Sequence, residues 1–190
     1  NPLQLLADSP EEARGLVRAL KHVGVDFIKV HRRIQREVYF AVLDEAKKLE
    51  LRVVGHVPMT VTPLEASAAG QSSLEHAETF YEGTFSEKLP AGELPSAIAR
   101  YLATPNADEL FLGLARNGTV VTPTLVGYRS LLDILGWSKT GDPNARFVAA
   151  SLRDQGIEQA KAAKPDEIAT VARTYAHLKE TVRRMIAVAV

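Results

Sequence analysis

The chain of 190 residues contains no cysteine, carries no net charge and has few aromatic side chains. Without cysteine, disulfides and thiolate chemistry are excluded, and the redox compartment cannot be read. Its 23 basic and 23 acidic residues cancel, and the pI is near 7.2. No basic field draws it to nucleic acid or acidic lipid, since the arginines are scattered or sit in short pairs such as Arg32-Arg33 and Arg183-Arg184. Neither nucleic acid nor membrane is therefore expected as a partner. No segment approaches the roughly 18 consecutive apolar residues of a membrane span. Asn1 opens the chain without a signal-peptide pattern, and the missing initiator Met suggests trimming. Internal repeats and low-complexity tracts are absent. What is present is the composition of one globular domain, 46% hydrophobic and 24% charged, long enough to bury a sizeable core.

Short apolar, β-branched runs alternate with longer amphipathic stretches, the pattern of consecutive βα units. Ser9-Pro10-Glu11-Glu12 predicts a helix start, with an N-cap, a first-turn proline and a capping-box glutamate. Strands are expected over Asp26–His31, Leu51–His56, Ser72–His76 and Gly118–Leu125, and helices over Arg36–Leu49, the short stretch after Thr62-Pro63-Leu64-Glu65, Ser96–Leu102, Ala107–Arg116 and onward from Pro165. The last of these carries Ile168, Val171, Ala172, Tyr175, Leu178, Val182, Met185 and Ile186 on one face. Two long connections interrupt the rhythm, at about 77–105 and 126–164, the second holding Trp137 and the turn Gly141-Asp142-Pro143-Asn144. Connections after strands are long and returns to strands are about two residues. That asymmetry is characteristic of a (β/α) barrel with its site built from βα loops, although four units also allow a flavodoxin-like sheet.

Three ionisable residues stand at the C-terminal ends of three successive expected strands: Lys29, His56 and His76. In a barrel such positions converge on the mouth. A lysine buried in a parallel strand is costly as an ammonium, and a neutral amine can take up carbon dioxide to give a carbamate with two oxygens suited to bridging metals. The two imidazoles are common ligands for zinc and similar ions.

The run from Gly24 to Ala77, with "GVDFIKVH", "VVGHVP" and "SLEHA", resembles the centre of the amidohydrolase superfamily, and within it the imidazolonepropionase and prolidase-like enzymes. The resemblance implies an α/β fold, a partial (β/α)8 TIM barrel comprising strands four to seven, over residues 1–190. It implies a metal-dependent hydrolase, dipeptidase-like or acting on a cyclic amide, that attacks an amide-like C–N bond with a metal-activated water. The cofactors implied are two divalent ions, zinc above all, and a CO2-derived carbamate on Lys29. Lys29 matches the bridging, catalytic lysine, while His56 and His76 match the strand-five and strand-six metal ligands. The His-x-His pair of strand one and the aspartate of strand eight are absent from these 190 residues, so the chain by itself is expected to be inactive.

Other readings stay open from the residues alone. Lys29 can pair with Asp26 or Glu75, and each histidine can be structural, which would make the chain a βα-barrel fragment or binding module without catalysis. A phosphate-binding barrel would need a glycine cradle that Gly127 and Gly136 do not supply. His31 reads as a loop histidine, His22 and His177 as surface residues, and Glu75 as pointing away from His76. Phe80, Tyr81, Phe85, Tyr128 and Trp137 are candidate walls for a small-molecule or dipeptide-like substrate, whose carboxylate Arg32, Arg33 or Tyr39 would meet. Four strands leave two edges and an inner face open, and pairing with a second copy, a homo-oligomer, would cover both.

Overall fold

The helices begin where the sequence caps them. A computed structural model describes residues 4–78, 81, 89, 92–140 and 146–190. Its elements run α1 (Pro10–His22), β1 (Phe27–Val30), α2 (Arg36–Lys48), β2 (Arg52–Gly55), α3 (Pro63–Ala68), β3 (Gln71–Glu75), α4 (Leu94–Leu102), α5 (Pro105–Arg116), β4 (Val120–Thr122), α6 (Val126–Thr140), α7 (Ala150–Ala162) and α8 (Pro165–Ala187). At α1 the Ser9 hydroxyl accepts from the Glu12 amide at 3.2 Å. At α3 Thr62 Oγ1 accepts from the Glu65 amide at 3.2 Å, and the Glu65 carboxylate accepts in return from the Thr62 amide at 2.9 Å. Two otherwise orphaned N–H groups are thus satisfied reciprocally.

The Glu65 carboxylate also meets the Arg36 guanidinium of α2 at 2.5 Å, and that bond, with the Thr62 amide, holds its pKa near 2 instead of the ordinary 4.5. A carboxylate whose folded pKa is depressed stabilises above its unfolded pKa and loses that contribution as pH falls through the folded value. Because the Glu65 side chain is 42% exposed, solvent screening limits the effect to about 1 kcal/mol. Thermal unfolding should show this contribution intact above pH 5 and lost between about pH 4.5 and 2, and Glu65→Gln should flatten that part of the profile.

All four strands are parallel and lie in the order β1-β2-β3-β4. Each new strand is added on the same side, whereas a flavodoxin-like sheet reverses direction at a switch point. This settles the choice between the two α/β folds in favour of a barrel segment that is not closed. Ile28, Val30, Val53 and Leu74 point to the helix-covered face and are buried. Lys29 pairs in register with Val54, Val54 with Ser73 and Ser73 with Val120, and this row belongs to the opposite, open face, where Phe27 and Val120 are 53% and 56% exposed. It is the face that fills the interior of a complete barrel.

Beneath the sheet, the buried Tyr39 hydroxyl donates to Gln71 Oε1 at 2.5 Å, and Gln71 Nε2 donates to the carbonyls of Gly55 and Ser73, each at 3.0 Å. Gln71, which belongs to β3 although the strand was expected to begin at Ser72, is thereby buried with its amide satisfied. Arg184 of α8 reaches the Leu102 carbonyl and the Asp108 carboxylate, which ties the last helix to α4 and α5.

Two expectations need correction. Much of 126–164, taken as a connection, is helical, forming α6 and α7; the turn Gly141-Asp142-Pro143-Asn144 lies outside the described residues. The inward face of α8 is also rotated from the apolar stripe: Thr174, Leu178, Thr181 and Met185 are buried, while Ile186 is 68% exposed. Thr174 and Thr181 enter the interior because their hydroxyls donate to the carbonyls of Thr170 and His177 four residues back, at 2.9 and 3.0 Å.

Candidate metal centre

The site forms at the C-terminal ends of β1, β2 and β3. Gly55 closes β2 with φ +114°, and a Cβ there would lie 2.4 Å from the Val30 carbonyl oxygen. Only glycine permits this approach. The next residue then donates its amide to the same carbonyl at 3.1 Å, which brings the His56 ring over the end of β1.

His56 is half-buried, and burial, reinforced by His76, His31 and Lys29, pushes its pKa below 6.5 against an opposing pull from Glu75. A neutral imidazole is the form that binds a metal. Among the described residues, His56 Nδ1 is buried with no hydrogen-bond partner. Such an orphan is uncommon unless something else satisfies the atom.

His76 follows β3 and has φ +69°, in the left-handed region. Its amide donates to the Thr122 carbonyl at 2.9 Å, and its Nδ1 is hydrogen-bonded to Thr124 Oγ1 at 2.7 Å. That bond orients the ring, as outer partners of ligating histidines do. The left-handed turn also breaks the alternation of a strand. Glu75, expected to point away from its neighbour, instead shares the pocket: Glu75 Oε2 lies 4.0 Å from His76 Nε2.

The rings of His56 and His76 are 4.6 Å apart between centroids, and His31 stands 5.0 Å from His56 on the other side. Lys29 points into the same pocket, with Nζ 2.7 Å from Glu75 Oε2. Its side chain is 56% exposed, so the expected buried, desolvated lysine is not what the structure contains. Lys29 lies on the open face of the sheet, and an ion pair holds its amine.

One ligand atom from each of His56, Glu75 and His76 lies within 4.8 Å of the others. Two imidazole nitrogens and a carboxylate oxygen suit zinc and related divalent ions. Ligands at about 2.1 Å from one ion are at most about 4.2 Å apart, so modest side-chain movement would close the set. Sequence reasoning missed Glu75 as a member of this group. The pairing of Lys29 with Glu75 is legible in the sequence, but its place beside His76 is not, since a left-handed non-glycine residue leaves no local signature.

Beside His76 lies an open groove of about 520 Å³ lined by Glu78, Thr124, Val126, Tyr128 and Leu131. Tyr128 thus borders the site. Tyr81 does not: it is fully buried and hydrogen-bonded to Thr181 at 2.5 Å. Tyr39 is likewise buried, so it cannot meet a substrate carboxylate. Phe80, Phe85 and the Trp137 side chain lie outside the described residues. His22 is exposed, as expected, whereas His177 is half-buried.

No protein-family model matches the chain, and no curated protein does. Solved structures do. The chain resembles a bottromycin amidohydrolase with a TM-score of 0.68 and 26% identity, over 97% of this chain and 39% of that one. It resembles an uncharacterized protein (TM-score 0.53, 18% identity, 99% and 38% covered) and an amidohydrolase (TM-score 0.50, 20% identity, 99% and 37% covered), both at identities that establish fold alone. The chain therefore spans about two fifths of the length of the structures it matches. The fold is that of part of an amidohydrolase barrel, and the resemblance read from the sequence is borne out at the level of the amidohydrolase superfamily.

Proposed function

We propose that the chain is the central segment of a metal-dependent hydrolase that cleaves an amide-like C–N bond, supplying only part of the active site. The carrying observation is the convergence of His56 and His76, from adjacent strand ends, with ring centroids 4.6 Å apart. The likeness to bottromycin amidohydrolase supports an amide as substrate class.

In this reading His56 and His76 hold one divalent ion of the zinc type. Lys29, as a carbamate, would supply anionic oxygen ligands to the site once paired histidines complete the barrel. The bound metal supplies Lewis acidity and a water that ionises near neutral pH. His56 contributes a neutral lone pair, and Thr124 fixes the orientation of His76. The groove beside His76 accepts an apolar portion of a dipeptide-like or cyclic amide, with Tyr128 as one wall. To become a carbamate, the Lys29 ammonium must give up its proton and leave Glu75. The amine then forms an N–C bond to carbon dioxide and releases a second proton.

The test is made in a protein joining this segment to strands that bear His-x-His and a strand-end aspartate. Lys29→Ala there should abolish tight binding of the bridged ion pair and reduce amide hydrolysis by more than about 100-fold, since an outer-shell change alone costs 10- to 100-fold. Short-chain carboxylates should partly restore turnover. Two tightly held ions and normal turnover in Lys29→Ala would overturn the carbamate role.

A further inference from the structure

We propose that Glu75 is itself a metal ligand, completing with His56 and His76 a one-ion site contained within these 190 residues, and that Lys29, as an ammonium, positions its carboxylate. The proposal rests on the reading of His56 and His76 given above and adds a ligand and a loading state to it.

Three observations converge on Glu75. Its carboxylate belongs to the group whose ligand atoms lie within 4.8 Å of one another. The φ of +69° at His76 is what turns two consecutive residues, one in the strand and one just past it, toward a single pocket. A β-strand would have sent them to opposite faces. The Lys29 Nζ sits 2.7 Å from Glu75 Oε2, and carboxylates that ligate metals are themselves characteristically held by an outer hydrogen-bond partner.

Two neutral imidazoles and one carboxylate give a donor set of charge −1 around a divalent ion, and the Lys29 ammonium acts on it through geometry, by holding the Glu75 carboxylate at 2.7 Å. A carbamate on Lys29 would instead place a second anion against Glu75, so the ion pair and the carbamate are alternative states of Lys29. The one-ion site is thus the state of Lys29 as ammonium, and its formation requires no carbon dioxide.

Cobalt(II) titration of the 190-residue chain, followed by calorimetry and visible absorption, tests this in buffer stripped of carbon dioxide and in buffer containing bicarbonate. The wild type should bind one equivalent equally well in both. Glu75→Gln should weaken binding at least 10-fold and change the cobalt absorption, because an amide oxygen replaces an anionic ligand, while Glu75→Asp should retain part of the affinity. If Glu75→Gln fails to fold, as judged by circular dichroism, Glu75→Asp carries the test, with a weaker affinity and shifted absorption expected. Wild-type affinity and spectrum in a folded Glu75 variant, alongside loss of binding in His76→Ala, would overturn the role of Glu75 and leave the histidine site standing. Binding that requires bicarbonate and disappears in Lys29→Met would equally overturn it. Binding no tighter than that of a His56→Ala/His76→Ala variant would remove the histidine site as well.

Discussion

His56→Ala is expected to lower the zinc affinity of the chain by more than about 100-fold while leaving its thermal stability in the absence of metal nearly unchanged. The loss should exceed the 10- to 100-fold that follows removal of an outer-shell partner, because His56 offers a neutral nitrogen in the centre of the cluster. Stability should hold because the ring makes no hydrogen bond through Nδ1 and is only half-buried. Calorimetric titration with zinc and a melting curve on the metal-free protein separate the two effects. A His56→Ala protein that binds zinc like the wild type would exclude this histidine from the site, and one that melts far lower would assign it a structural role.

The isolated chain is expected to self-associate through its open sheet face. Phe27 and Val120 are more than half exposed on that face, and among the described residues β1 and β4 each present an unpaired edge. An exposed apolar sheet edge recruits another strand unless charge blocks it. At micromolar concentration, light scattering should report at least twice the 20.7 kDa of the chain. Phe27→Lys combined with Val120→Lys should return it to the monomer, since each change places an ammonium where a partner's apolar surface would lie. A monodisperse wild-type monomer that unfolds cooperatively would show that the open face is tolerated in water.

The sequence was most informative where local chemistry decides the outcome. Ser9, Thr62 and Pro165 mark helix starts because caps and prolines act within one turn. The strand ends carrying Lys29, His56 and His76 were legible because β-branched runs alternate with helices at barrel spacing. What escaped depends on non-local or unusual backbone geometry. The left-handed φ of His76 turned its ring toward the pocket that Glu75 already faces from β3. The exposure of Lys29 follows from which face of the sheet the helices leave open. Thr174 and Thr181 hid their polarity in bonds to their own helix, so an apolar stripe gave the wrong rotation for α8. The helices of 126–164 leave little trace in the sequence, where Gly141-Asp142-Pro143-Asn144 has the composition of a loop.

The central claim is that His56 and His76 hold a metal ion at the mouth of a barrel segment. Anomalous diffraction at the zinc edge from crystals grown with zinc tests it most directly. The account predicts a peak about 2.0 to 2.1 Å from an imidazole nitrogen of each histidine. Crystals whose zinc peaks all lie elsewhere, with both rings bonded only to protein atoms, would contradict it.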